Sequence, residues 1–306
     1  MYYILFPLFY LLSLLPLFIL YRLSDLAFLI VYHLMGYRKK VVMENLSHAF
    51  PDKTVEERQR IARHFYRLFC DTFIETLKMI SMTDRQLQKM VQFDIGIAIA
   101  CAQKGKSVQF LAGHQFNWEL ANWLIARDMP IPFIGVYKRI SNEAVNRIMF
   151  DMRSQKGTVL VGTHEFRNRM HQLLSTQHAI GLAADQNPGN PTQASWLQFM
   201  NRPAPFVTGP DKSARKTGMA VVFLNMIPEK RGRYVFTSSL ITEDAAAMQP
   251  GELTVRYRDL LEASIRQYPA NYLWSHRRWK HIYRDDCAKD WIDHRFPKPD
   301  RGSHTD

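Results

Sequence analysis

The sequence predicts an α/β fold, a mainly parallel central sheet flanked by helices, preceded by an N-terminal transmembrane or membrane-anchoring helix. Three patterns lead there. Seventeen of the side chains in residues 1–20 are apolar, and about 20 helical residues span a bilayer core of roughly 30 Å. Short apolar runs recur at 108–112, 133–137, 158–161, 180–184, 220–224 and 234–238. Helical spacing sits between several of them, at 117–127, 142–153, 165–174 and 252–268, and this alternation is the pattern of strands joined by crossover helices.

In the first segment only Pro7, Ser13 and Pro16 break the apolar run. The chain opens Met1-Tyr2-Tyr3, without the positive n-region and small-residue cleavage site of a secretory signal, so a retained anchor over residues 1–20 is expected. A second apolar stretch, 26–35, contains His33 and is short for a span, which suits an interfacial or re-entrant piece. Arg22 and Arg38-Lys39-Lys40 follow the anchor with no comparable charge before it, which puts the rest of the chain on the cytoplasmic side. The expected division is residues 1–36 as anchor and interfacial segment and 37–306 as a cytoplasmic-face domain. Thr54-Val55-Glu56-Glu57 is a capping box opening a helix to about Ile80. Ile61, Phe65, Leu68 and Phe73 share one face of it, for packing on a core or lying against phospholipid.

Forty Lys and Arg against 28 Asp and Glu leave a formal charge of +12, which points to an anionic partner such as phospholipid, nucleic acid or another phosphorylated ligand. A mean hydropathy of −0.24 excludes a polytopic membrane protein. Cys70, Cys101 and Cys287 make neither a disulfide framework nor a C-x-x-C metal pair, in keeping with a reducing compartment. No phosphate loop, G-x-G-x-x-G, G-x-S-x-G elbow or H-E-x-x-H occurs, so nucleotide hydrolysis, hydride transfer, serine esterase and zincin chemistry lose their usual supports. No metal site and no organic cofactor is implied.

Chemistry concentrates at Gly113-His114-Gln115-Phe116-Asn117-Trp118-Glu119. His114 leaves the end of an apolar strand, after a Gly that permits a sharp turn, where open α/β sheets place their ligand crevices. On a continuous helix His114 and Glu119 would stand about 140° apart, so they meet only if the helix begins near Asn117 and His114 folds back. A carboxylate on one imidazole nitrogen would orient the ring and raise the basicity of the other. Spacing alone favours the plainer reading, a His satisfied at a strand end.

The surroundings reverse that preference. The 113–119 block resembles the G-H-x-G-N-W-E form of the H-x4-D/E motif in the lipid A biosynthesis late acyltransferases. The likeness extends along nearly the whole chain: Tyr37-Arg38-Lys39-Lys40-Val41-Val42 with Asn45-Leu46-Ser47-His48-Ala49-Phe50-Pro51, then Val136-Tyr137-Lys138, Arg153-Ser154-Gln155-Lys156-Gly157, Asp185-Gln186, the 205–218 stretch and Trp274-Ser275-His276-Arg277-Arg278-Trp279-Lys280.

The resemblance implies a membrane-bound O-acyltransferase at the cytoplasmic face of the bacterial inner membrane. It would move a fatty acyl chain from an acyl carrier protein thioester to a hydroxyl of a lipid A precursor in lipopolysaccharide biosynthesis. A hydroxyl attacking a thioester needs a base, which would be His114 with Glu119 as its orienter, and the lack of a Ser or Cys elbow favours direct transfer. Asn117, Lys138, Arg153, Asp185 and Gln186 are the substrate-binding candidates. Arg153 would hold an anionic lipid acceptor by its phosphate or be a solvated helix-end residue; Asp185 and Gln186 would bind the acceptor or cap a turn. The basic, aromatic stretch 271–280 suits headgroup contact or internal ion pairing better than nucleic acid. Phe116 replaces a Gly of the family pattern, which would narrow the crevice, Lys138 replaces an Arg, and Phe199-Met200-Asn201-Arg202 stands where Phe-Phe-Gly is usual. These departures keep open a superfamily acyltransferase acting on an aminolipid or glycolipid. A non-enzymatic basic membrane tether is a further alternative.

Overall fold

Proline decides how the N-terminal segment folds. In the computed structural model, which describes residues 1–173, 175–284, 287 and 290–298, α1 (Tyr2–Leu14) ends at Leu15, whose ψ of 144° is the extended geometry imposed on a residue before proline. After Pro16, α2 (Leu17–Phe28) runs on as a π-helical stretch, Leu29–Leu34. The one helix expected over 1–20 is therefore two, and 26–35 is the end of α2 with the π-helical stretch that continues it rather than a separate piece. Leu17–Leu34, 18 residues, is the stretch long and apolar enough to cross a membrane.

After α3 (Lys39–Ala49) comes α4 (Val55–Met79), whose capping box forms as the sequence predicts. The Thr54 backbone N–H donates to Glu57 Oε2 at 2.8 Å, and the Glu57 N–H to Thr54 Oγ1 at 3.2 Å. Ile61, Phe65 and Leu68 are buried in the core, whereas Phe73 is 62% exposed. α2 lies along α4, held where Ser24 Oγ donates to Asp71 Oδ1 at 2.6 Å and Arg231 bridges Asp25 and Asp71 at 2.8 and 2.7 Å.

The remaining elements, in order, are α5 (Asp84–Met90), β1 (Val91–Asp94), α6 (Gly96–Gln103), β2 (Val108–Ala112), α7 (Trp118–Asp128), β3 (Phe133–Tyr137), α8 (Glu143–Ser154), β4 (Val159–Gly162), α9 (Thr163–Leu173), β5 (Ala179–Ala183), β6 (Ser195–Phe199), β7 (Arg202–Phe206), α10 (Gly209–Thr217), β8 (Ala220–Lys230), β9 (Arg233–Thr242) and α11 (Glu252–Gln267). The main sheet has the order β1-β9-β8-β2-β5-β3-β4. It is parallel except where β8 meets β9. Only Arg231 and Gly232 join those two strands, and so short a link closes only an antiparallel hairpin; Gly232, at φ +73°, supplies the left-handed turn residue. Two apolar clusters cover the two faces. Leu111, Ile134 and Val221 belong to one, and Phe110, Phe133 and Val222 to the other.

The six expected strands are all present, with β8 and β9 longer than their apolar runs. Residue 174 of the expected helix, and 299–306 of the expected domain, lie outside the described residues. Two features escape the apolar pattern. β1 has only four residues, and β7 contains Pro203 and Pro205, residues that argue against a strand except at an edge. The β6–β7 pair is a separate two-stranded ribbon turned by Met200 and Asn201, both with positive φ, 46° and 70°. The departure from the family's Phe-Phe-Gly is thus a hairpin turn built without glycine.

The ribbon is tied to α11 through Gln198, whose N–H donates to Asp293 Oδ2 at 3.2 Å, the acid of a buried ion pair with Arg258. Arg258, 1% exposed, donates to Asp293 Oδ2 at 2.6 Å and to the carbonyl of Gln198. Asp293→Ala takes the buried carboxylate from Arg258 and leaves it Asp259 Oδ1 at 2.7 Å, so it should cost about 1–3 kcal/mol, read as a lowered unfolding midpoint. Replacing both, Arg258→Met with Asp293→Leu, should recover most of that loss.

Candidate active site

The central strand β2 pairs with β5 in parallel, with Ala112 opposite Ala183. Two residues beyond each lie His114 and Asp185, so the register itself sets them side by side. The His114 backbone N–H donates to Asp185 Oδ2 at 3.1 Å, and Nδ1 lies 2.6 Å from Asp185 Oδ1. A carboxylate only accepts, so Nδ1 carries the proton and Nε2 is left as the acceptor. Burial pulls the imidazole pKa down and pushes the carboxyl up. Their mutual attraction outweighs both effects, so His114 sits above its ordinary value and Asp185 is held at about 2.

Glu119 does not orient the imidazole. The helix does start at Trp118, as the pairing required, but its first turn faces α8. There the nearly buried Glu119 carboxylate accepts Arg153 Nε at 2.9 Å and Arg153 Nη2, and also Trp118 Nε1 at 3.1 Å. A planar guanidinium matches both carboxylate oxygens at once, so Arg153 satisfies Glu119 while the strand register gives Asp185 to His114. Arg153 is correspondingly not a solvated helix-end residue.

The turn between β2 and α7 is fixed from several sides. A Cβ on Gly113 would stand 2.4 Å from Leu261 Cδ1, so glycine is needed there for close approach to α11, not for a left-handed φ. Gln115 Nε2 donates to Ser264 Oγ at 2.6 Å, and the Phe116 N–H to Asn271 Oδ1 at 3.0 Å. Asn117 takes the left-handed conformation at φ +53°. Its amide points away from the crevice and donates to Glu75, which also accepts Tyr21 Oη at 2.6 Å and Tyr234 Oη at 2.7 Å. Asn117 thus sits in the turn with its amide held by Glu75 and does not line the chamber beside His114. Burial pushes the Glu75 carboxyl up to about 7, although all three hydrogen bonds pull it down. The sequence does carry a signal for this residue: Leu68, Thr72, Glu75 and Met79 fall on one stripe of α4, and an acid on a buried stripe needs partners.

A chamber of about 330 Å³ opens beside His114 and runs inward along the sheet past Phe110, Phe133, Leu182, Leu224 and Met226, with Lys138, Trp118, Glu119 and Arg153 also on its walls. The profile of the bacterial lipid A biosynthesis acyltransferases matches residues 1–281. The chain belongs to that family. It is 25% identical over 272 residues to the lipid A biosynthesis lauroyltransferase of Escherichia coli (strain K12), covering 87% of each chain. It is 21% identical over 246 residues, 79% of each chain, both to the lipid A biosynthesis palmitoleoyltransferase of the same organism and to the lipid A biosynthesis acyltransferase of Shigella flexneri. The reading as a non-enzymatic tether is set aside by membership in a family of acyltransferases.

The other family positions of this lipid A acyltransferase divide into walls and supports. Lys138 is exposed on the chamber wall at the end of β3. Gln186 is half-buried and does not line the chamber. Phe116, expected to narrow the crevice, packs instead against Phe65 and Phe69 and lines a second cavity. Most of the 271–280 stretch is internal scaffolding, with Arg277 and Lys280 exposed. Asn45 Nδ2 donates to the carbonyls of Trp274 and His276 at 2.7 Å each. Arg278 is buried against the rings of Phe199 and Phe206 and donates to Asn187 Oδ1 and the Pro205 carbonyl. Burial, then the Arg278 charge, push His276 down to about 4, and its neutral Nε2 accepts the Asn187 N–H at 3.2 Å.

These contacts separate the two acids experimentally. The rising limb of kcat/KM with pH reports deprotonation of the base in the free enzyme. Asp185→Asn removes the charge that raises His114, so the limb should move to lower pH while the plateau falls by roughly 10²–10⁴-fold. Glu119→Gln should leave the limb in place. A limb that follows Glu119 and ignores Asp185 would restore the opposite assignment.

Proposed function

We propose that this acyltransferase moves a fatty acyl chain from an acyl carrier protein thioester to a hydroxyl of a lipid A precursor, with His114 as general base and Asp185 as its orienting acid. The observation that carries this reading is the His114–Asp185 pair at the edge of an apolar chamber. The acyl chain lies along the sheet, bringing its carbonyl to His114. As the acceptor oxygen attacks that carbonyl, its proton passes to Nε2, and Asp185 stabilises the imidazolium. Collapse of the tetrahedral intermediate breaks the carbon–sulfur bond, and the departing thiolate takes the proton from His114. No acyl-enzyme forms.

Arg153, already fixed by Glu119, and Lys138 stand on the same wall as His114 and provide the positive charge for the acceptor's anionic groups. Glu119 thus serves transfer through the placement of Arg153. The protein sits on the cytoplasmic face of the bacterial inner membrane, held by residues 1–34. In support, large apolar side chains on α1, α2 and the π-helical stretch after it, among them Tyr3, Leu11, Phe18, Leu26 and Leu34, are exposed, and an apolar surface of that kind marks a membrane or partner contact. Alkaline carbonate should leave the intact chain in the membrane pellet; full release would remove the anchor from this reading.

His114→Ala should abolish acyl transfer to a lipid A precursor in protein that still folds, with a lowered unfolding midpoint because the buried Asp185 carboxylate loses its imidazole partner. Combining it with Asp185→Asn should cost no more than His114→Ala alone, since an orienter has no role without its base. Transfer within about tenfold of the parent would show that His114 is not the base, a loss below the range a positioned base supplies.

A further inference from the structure

A second cavity, of about 480 Å³, lies on the other side of the Glu119–Arg153 pair. Its walls are Phe9 of α1, Phe69, Thr72, Phe73 and Thr76 of α4, and Val145 and Ile148 of α8, and it shares Trp118, Glu119 and Arg153 with the sheet chamber. Two apolar chambers therefore converge on one bidentate ion pair beside His114. α1 forms one wall, and Ile4, Leu8, Leu11 and Leu14 of that helix are exposed. Phe73 is exposed as well, although it lines the cavity. Thr72 adds a separate observation. It is 5% exposed, and its Oγ1 has no hydrogen-bond partner among the described residues. A buried hydroxyl without a partner costs free energy that a ligand oxygen would recover.

We propose that this second cavity binds a fatty acyl chain of the acceptor lipid, with Thr72 donating to a carbonyl or hydroxyl oxygen of that chain, while the sheet chamber holds the acyl chain of the donor. The assignment rests on the acyl transfer proposed above. Two substrates, each with apolar chains, must present a carbonyl and a hydroxyl to one imidazole, and two chambers meeting beside it meet that need. The donor arrives from water on its carrier. The acceptor never leaves the bilayer, so its chain enters beneath the membrane-facing helix α1. The Glu119–Arg153 pair then acts as the partition between the chains, with the Arg153 charge beside the acceptor's head.

Filling the cavity from opposite walls tests this, with Thr76→Phe on α4 and Val145→Trp on α8, assayed with a lipid A precursor in detergent micelles and acyl carrier protein thioesters of graded chain length. The acceptor KM should rise at least tenfold, with the donor KM and donor chain-length preference unchanged. Acceptors with shortened chains should bind the parent enzyme less well but lose little further in the filled variants. Thr72→Val, which keeps the shape and removes the hydroxyl, should raise the acceptor KM by about three- to tenfold, the size of one hydrogen bond, and decides the matter if a filled variant fails to fold. A shift of donor preference toward shorter chains would give the cavity to the donor, and unchanged acceptor KM in all folded variants would show that no substrate enters it. Failure of the parent enzyme to acylate the precursor at all would instead overturn the acceptor class, a separate result.

Discussion

The pairing register of β2 with β5 is the constraint on which the site depends. Ala112 opposite Ala183 fixes both strand ends at one level, and from there the chain reaches His114 on one side and Asp185 on the other without any specialised loop. Because a parallel ladder cannot slip by one residue without turning its apolar faces over, the cores on the two sides of the sheet enforce the 2.6 Å contact between imidazole and carboxylate. The acid sits 71 residues from its partner in the chain. The binding energy of two hydrophobic clusters is thereby converted into the placement of a single proton acceptor.

Around that contact the molecule accepts an unusual density of buried polar groups. Glu75, Asn117, Gln115, Asn271 and Ser264 are all buried behind or beneath the turn, and each is hydrogen-bonded to it or to another of the set. A network of this kind rigidifies what it holds, although Gln115 Oε1 has no hydrogen-bond partner among the described residues. It also keeps a non-glycine residue, Asn117, in a left-handed conformation that is tolerated only where its surroundings over-determine it. Tyr21 brings α2 into the same network through Glu75, so this apolar N-terminal helix is braced against the turn that follows His114.

The sheet was legible because its strands are near-continuous apolar runs separated by amphipathic helices, the pattern of a parallel sheet covered on both faces. His114 was legible for a related reason, being a polar residue just past such a run and a glycine. Its acid was not, because Glu119 is near in sequence whereas Asp185 is near only after β2 and β5 pair, and spacing reports helical neighbours but no sheet neighbours. The break at Pro16 could have been read from the residue before it, and the apolar composition on both sides concealed it. Glu75 stood in plain view on the buried stripe of α4, yet its partners come from α2, β9 and the turn, elements far apart along the chain.

The order in which the chain is made gives one of these contacts a further meaning. Asn45 grips the carbonyls of Trp274 and His276, 231 residues further on at the latter, and the segment it grips supports the loop that carries Asp185 through Asn187. At a synthesis rate of about 5–20 residues per second, roughly 10–50 s pass between the emergence of the two ends of that clasp. During translation α1 and α2 are complete long before the clasp can close. A nascent polypeptide thus gains this support for the Asp185 loop only once the segment from Trp274 to His276 has been made and docks on α3, one of its early helices.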